Sequence, residues 1–372
     1  MTGKGKHAAF RVDASLKIGT GHVMRCLTLA TALREIGWQC SFIMRAHEGH
    51  LTHIVEAYGF SVFNFENDTG GARHASSARE QEQYAGWLGV PWEKDAAQMS
   101  DILKQIRPDL LIVDHYALDA RWEIAVGLPP ENIIVIDDLA NRNHQSGVLI
   151  DANVGRTDSD YYGLVPKNCV MLTGPQYAIL RAEFAALHAR YDEWEFPEQP
   201  KKIFIAMGGV DAPNTTCTVL ETLISCPLPA ACEIEIVMGS RAPWLDAVLA
   251  KAKQMPWKTS VAVNVDNVAE RMAYSDIGIG AAGVTALERC CVGLPSIVII
   301  LADNQRAGAA ALQQRGMALV IETVDDLPRQ LPGEIAKLMN SDVRQKLARA
   351  ARTLVDGRGV ERIAEALRHR RG

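Results

Sequence analysis

"IGTGHVMRC", residues 18–26, places two glycines and a histidine where an apolar run gives way to a helical pattern. Before it, "AAFRVDAS" (8–15) reads as a β-strand. After it, His22 to Ile36 read as an amphipathic helix stopped by Gly37. A strand, a glycine turn and a helix in that order open a doubly wound α/β sheet, so the turn decides both the fold and the ligand it receives. As a dinucleotide fingerprint it fails twice. Met24 stands in place of the third glycine, and the next strand, "CSFIMR" (40–45), closes on Arg45 instead of an acidic residue. What survives is generic physics: Gly19 and Gly21 let a ligand approach the backbone, and the free N–H groups of the helix start favour an anion.

His22 sits at the positive end of the helix dipole, which disfavours imidazolium and suits a neutral base. Asp13, at the end of the preceding strand, is expected to accept a hydrogen bond from one ring nitrogen and fix the tautomer, leaving the other for a proton of water. A surface histidine that merely closes a tight turn is the alternative.

Working outward, the strands "FSVFNF" (60–65), "LLIVD" (110–114) and "NIIVIDD" (132–138) are continuous apolar runs, as in a parallel sheet covered on both faces. Helices are expected near Leu51 to Tyr58 and from Trp92 to Ile106, with the polar stretch 67–83 as the most mobile segment. "HARYDEWEFPEQPKK" (188–202) is charged, carries two prolines and interrupts the alternation, so a linker is placed at 191–201. A second βα series then starts at "KIFIAMGG" (202–209). The expectation is two Rossmann-like domains facing a cleft, residues 1–190 and 202–340, with two basic amphipathic helices at 341–372.

In the first half, "VDHYALD" puts Asp114, His115 and Tyr116 at a strand's carboxyl end, where open α/β sheets bind ligands. His115 is a candidate second acid or base, or a loop's hydrogen-bonding partner. In the second half "AMGGVD" offers Gly208 and Gly209, and "GAAGVTALERC" (280–290) offers a small-residue turn at Gly283 with Glu288 in the second turn of the following helix. Such turns admit a diphosphate, and Glu288 is placed to accept bonds from ribose hydroxyls, unless it simply faces solvent. "LADNQ" ends another strand with Asp303, Asn304 and Gln305, polar groups with the reach of a sugar or a phosphate.

With a net charge of −5 in 372 residues and no basic stripe, nucleic acid is not an expected partner. "LPSIVIILA" is too short to span a bilayer, and the N-terminus turns polar before a signal core forms. No membrane association is expected. The eight cysteines show neither CxxC pairs nor a secreted framework, which suits reduced thiols in a cytoplasm. The histidines lack HxH or HExxH spacing, so neither a metal nor another cofactor is expected. The sequence does not fix the oligomeric state; a monomer is expected.

Taken in order, "RVDASLKIGTGHVMRCLTLA", "LLIVDHYALD", "IDDLANRNH", "DYYGLVP", "GPQYAILRAEF", "AMGGVD", "GAAGVTALERCCVGLP" and "DNQ" resemble the UDP-sugar hydrolases of pseudaminic acid biosynthesis, which serve flagellin glycosylation. Those enzymes remove UDP from UDP-2,4-diacetamido-2,4,6-trideoxy-β-L-altropyranose. The family is similar in fold to the GT-B glycosyltransferases. The resemblance implies His22 as the base acting on water, Gly19 and Gly21 shaping its loop, Arg181 of "AILRAEF" and Asn304 as substrate contacts, and Glu288 on the ribose; Arg25, His115 and Tyr116 are further substrate-binding candidates. Two rivals remain: a glycosyltransferase in which an acceptor hydroxyl replaces water, and a sensor that binds a nucleotide sugar without turnover.

Overall fold

The computed structural model describes residues 5–65, 84–190 and 196–369. The chain forms two compact units, residues 1–152, 156–179 and 360–372 in the first and 153–155 and 180–359 in the second.

The first unit is a seven-stranded parallel sheet. Its elements are β1 (His7–Val12), α1 (Gly21–Glu35), β2 (Gln39–Arg45), α2 (Thr52–Ala57), β3 (Ser61–Phe65), α3 (Trp92–Ile106), β4 (Leu110–Asp114), α4 (Ala120–Ala125), β5 (Ile133–Ile136), β6 (Val148–Asp151) and β7 (Val170–Thr173). The strand order is β3-β2-β1-β4-β5-β6-β7. Side chains of a strand alternate between faces, and β1 uses both. Ala8, Phe10 and Val12 pack with Val23, Cys26, Leu27 and Ala30 of α1, while Ala9 packs with Met99 of α3, Trp122 of α4 and Val113 of β4. Arg11 and Asp13 fall on this second face. α1 forms because its apolar residues recur at helical spacing, and it stops where Gly37 turns at φ 89°.

The second unit contains α5 (Ala182–Ala189), β8 (Lys202–Ala206), α6 (Thr215–Leu223), β9 (Glu233–Met238), α7 (Leu245–Ala252), β10 (Lys258–Val263), α8 (Val268–Ala273), β11 (Ile277–Ala281), α9 (Val284–Val292), β12 (Ser296–Ile299), α10 (Arg306–Gln314), β13 (Leu319–Ile321), α11 (Leu327–Leu338) and α12 (Ser341–Arg352). Its six parallel strands run β10-β9-β8-β11-β12-β13. Isoleucines of β8, β9, β11, β12 and β13 meet Val219, Leu220 and Leu223 of α6 and Leu331, Ile335 and Leu338 of α11 in one core.

In both sheets the chain winds outward from its first strand in one direction, then returns to that strand and winds the other way. The switch points lie between β1 and β4 and between β8 and β11, the positions at which open α/β sheets take ligands.

The contacts divide the chain at 179/180, ahead of the expected linker at 191–201. The charged composition there marks where β8 begins, whereas α5 already packs on α8 and α9 and buries Phe184. Residues 67–83 and the first part of that linker lie outside the described residues. The two expected C-terminal helices also part company. α12 packs on α9 and α11 of the second unit, and α13 (Gly359–His369) returns to the first, where Val360, Ile363 and Leu367 complete the core around α1.

Candidate active site

In the first unit the switch point is built from the loop after β1, the start of α1 and the end of β4. Ser15 closes the loop: its carbonyl accepts from the Gly19 N–H at 2.8 Å, and its hydroxyl accepts from the N–H groups of Lys17 and Ile18. Gly19 holds φ 82°, a left-handed conformation that suits glycine. α1 then starts at Gly21 with no side-chain cap and no acidic residue in its first turn.

His22, 9% exposed, is therefore anchored by a helix start on one side and by β4 on the other. Its Nδ1 lies 2.6 Å from Oδ1 of Asp114. Burial alone would raise the Asp114 carboxyl, but Arg25 and His22 reverse this and hold it far below the usual carboxylate range. An ionised carboxylate only accepts, so Nδ1 carries a proton, and in the neutral ring the lone pair belongs to Nε2. Nε2 has no hydrogen-bond partner among the described residues and is not sealed from solvent.

Arg25, three residues along the same helix face, clamps this carboxylate. Its Nε and Nη2 donate to the two Asp114 oxygens at 2.6 Å each, and Nη1 donates to both oxygens of Asp138 at 3.0 and 2.8 Å. Nη2 also lies 3.3 Å from Nδ1 of His22, a longer approach than the one to Asp114. All three guanidinium nitrogens thus face internal partners and the side chain is 8% exposed. The structure makes Arg25 an internal clamp where a substrate contact was expected.

Asp13 does not face His22. Val12 is the register partner of Asp114, so Asp13, one residue on, points to the opposite face. There it pairs with Arg11 at 2.7 Å, accepts from the Arg45 backbone N–H and meets Nε2 of His115 at 3.3 Å. Arg11 and Arg45 also share Asp95, which accepts from the Trp122 indole as well, in a cluster closed to solvent. His115 is 3% exposed; its Nδ1 accepts from the Ala117 N–H while Nε2 faces Asp13. Burial lowers its pKa. Both ring nitrogens have internal partners, so His115 supports Asp13 rather than presenting an acid or base.

Tyr116 does reach the site. Its ring meets the edge of His22 at 4.6 Å between centroids, and its hydroxyl donates to Asp138 at 2.7 Å. Two residues that sequence reasoning missed extend this contact. Trp87 stacks on Tyr116 at 5.5 Å and stands 6.3 Å from His22, and Tyr84 touches both Trp87 and Tyr116. The only sequence signal was an aromatic pair in "YAGW". The adjacent acids of "IDD" diverge: Asp138 serves Arg25 and Tyr116, whereas Asp137 pairs with Arg142 at 2.7 Å.

In the second unit the expected residues follow β8, β11 and β12, three neighbouring strands whose carboxyl ends lie side by side. Gly208 holds φ 91° with open space around it. The helix behind it is closed, because Asp211 accepts from the N–H groups of Thr215 and Thr216 at 2.9 Å each, occupying the start of α6 that was expected to admit a diphosphate. The start of α9 differs. Gly283 is its N-cap, no side chain caps it and its first turn holds no acid. Gln305 lies nearby, 3.9 Å from where a Cβ on Gly283 would stand, with its side-chain oxygen on the Leu301 N–H. Asp303 is turned to solvent and pairs with Arg306 at 3.1 Å; Asn304 follows in the same turn. Glu288 on α9 is half-buried. Burial pushes its carboxyl up, while the positive charges of Arg181 and Arg289 pull the other way. Arg181, the N-cap of α5, bonds Glu183 at 3.0 Å, so the structure brings Arg181 and Glu288 into one group.

Among the described residues no group of three His, Cys, Asp or Glu is placed to hold a metal ion, and no helix is long and apolar enough to cross a membrane.

Residues 218–366 match the glycosyltransferase family 28 C-terminal domain. The spore coat polysaccharide biosynthesis protein SpsG of Bacillus subtilis is 27% identical, with 97% of each chain covered. The UDP-2,4-diacetamido-2,4,6-trideoxy-beta-L-altropyranose hydrolase of Campylobacter jejuni is 26% identical over 82% of this chain and 96% of its own. An uncharacterised protein of Methanocaldococcus jannaschii is 26% identical over 80% of this chain, which spans only 56% of that relative. Among solved structures, MurG of Acinetobacter baumannii superposes with a TM-score of 0.67 at 18% identity, covering 98% of this chain and 99% of that one. The two parallel-sheet units thus form a GT-B-like fold.

Proposed function

We propose that this chain hydrolyses a UDP-linked sugar, the first unit supplying the base and the second holding the nucleotide. The observation that carries the reading is the state of His22: Nδ1–H on a clamped carboxylate, with Nε2 unbonded and open to solvent. Such a ring takes a proton from water. The water oxygen attacks the anomeric carbon, the bond from that carbon to the leaving oxygen breaks, the electron pair departs with UDP and the proton stays on Nε2. Attack from the face opposite UDP inverts the anomeric centre.

The substrate we propose is the one in the Campylobacter jejuni relative's name, UDP-2,4-diacetamido-2,4,6-trideoxy-β-L-altropyranose, as a step towards pseudaminic acid in the cytoplasm. Its 6-methyl and acetamido methyl groups suit the apolar surface of Tyr116 and Trp87 beside His22. In the second unit, the uncapped start of α9 takes the diphosphate, Glu288 the ribose, and Arg181 and Asn304 further parts of the substrate. A glycosyltransferase is the second reading, favoured by the family 28 match over residues 218–366.

The deciding experiment incubates the purified chain with the UDP-sugar and no acceptor, in ¹⁸O-labelled water. UDP and free sugar should appear in equal amounts, the label on the sugar. A strict need for an added hydroxyl acceptor makes the chain a transferase. Label in the UDP phosphate would mean attack at phosphorus and end the assignment of His22 to the sugar.

A further inference from the structure

Arg289 of α9 is 1% exposed and forms no ion pair among the described residues. Its Nη2 donates to the carbonyl of Ala281 at 2.9 Å, Nη1 approaches the Thr285 hydroxyl at 3.4 Å, and Nε has no partner. The buried arginines of the first unit differ in this respect: Arg11, Arg25 and Arg45 each lie on a carboxylate. β11 is shaped around Arg289. A Cβ on Gly278 would stand 2.9 Å from its Cδ, and one on Gly280 would stand 2.5 Å from Nη1. The Ser296 hydroxyl and the Ala206 carbonyl would stand closer still, so the glycines of "DIGIG" make room for these neighbours as well as for a cation laid beneath the strand, its head at the carboxyl end where the switch point lies. Burying a charge with no ion pair is costly; Glu288, the preceding residue, acts on Arg289 without pairing to it, and the cost falls beside the start of α9, which like that of α10 carries no side-chain cap, whereas α6 is closed by Asp211.

We propose that Arg289 is the built-in counter-charge for a nucleoside diphosphate seated at the start of α9, a fixed positive charge with no ion-pair partner until the two phosphates arrive. The role rests on the reading of the second unit as the nucleotide-holding one. Arg289 acts through space and through the end of β11, as a positioning residue for the anion.

The test measures UDP, UMP and uridine binding to the full chain by calorimetry, for the wild type, Arg289→Met and Arg289→Lys. In Arg289→Met, UDP should weaken by about tenfold, UMP by less and uridine not at all. Arg289→Lys should keep most of the preference for UDP over uridine. Without ligand, Arg289→Met should melt no lower than the wild type, since it removes a buried charge that has no ion-pair partner. Parallel losses for UDP and uridine, unchanged UDP affinity, or a lysine variant as poor as the methionine one would each overturn the proposal. So would a methionine variant that fails to fold, because the bonds to Ala281 and Thr285 would then be what Arg289 is for. A wild type that binds no UDP removes the nucleotide reading together with this one, whereas a wild type that binds UDP with either variant unaffected removes this one alone.

Discussion

At the switch point of the first sheet buried charges come in matched sets: Asp114 and Asp138 on Arg25, Asp13 and Asp95 on Arg11 and Arg45. At that of the second sheet the same strand order carries small residues, an uncapped helix start and the unpaired Arg289. On the function proposed above, the difference follows from what each site must hold constant. A proton-transfer site needs its base fixed in one tautomer before the substrate arrives, so its charges neutralise one another internally. An anion-binding site leaves charge uncompensated until the ligand supplies the balance.

The largest effect that would sharpen or break this contrast is expected from His22→Gln. Turnover should fall by ~10²–10⁴ while UDP affinity stays near the wild-type value; a rate close to wild type would remove the base and with it the division of labour. Arg25→Met should come next. It strands Asp114 and Asp138 without their cation, and breaking a buried pair of this kind costs about 3–5 kcal/mol. Urea unfolding should show that loss, with a reduced kcat and an unaltered UDP affinity. If instead stability holds and only KM rises, Arg25 is a substrate contact after all. The smallest effect belongs to the second site. Glu288→Ala should weaken UDP by ~1.5–3 kcal/mol, the value of a hydrogen bond to a charged group, with little change in kcat at saturation. Equal UDP titrations of variant and wild type would take Glu288 off the ribose.

Much of this was legible in sequence because the signals were local. The continuous apolar runs gave the parallel strands of the two sheets, and "IGTGHVMRC" marked the first switch point through its glycines and the histidine after them. The short strands β6, β7 and β13 escaped notice. The partner of His22 escaped because it is set by register. Asp13 is close in sequence, but Val12, not Asp13, is paired with Asp114 across β1 and β4, and the alternation of side chains puts Asp13 on the face of α3. Trp87 was hidden for a related reason: nothing in "YAGW" announces that a distant tyrosine will stack on it. The closing of α6 by Asp211 escaped for a similar reason: the N-cap position belongs to Asn214, and Asp211 reaches the helix start from three residues further back.

The return of α13 to the first unit has a consequence for the order of events at the ribosome. Domains generally fold as they emerge, the N-terminal one first. Here the unit that carries His22 emerges first, yet Val360, Ile363 and Leu367 of its core are translated only after the whole second unit. The earlier unit therefore lacks part of its own core until the later one has been made, so its completion runs against the direction of the chain.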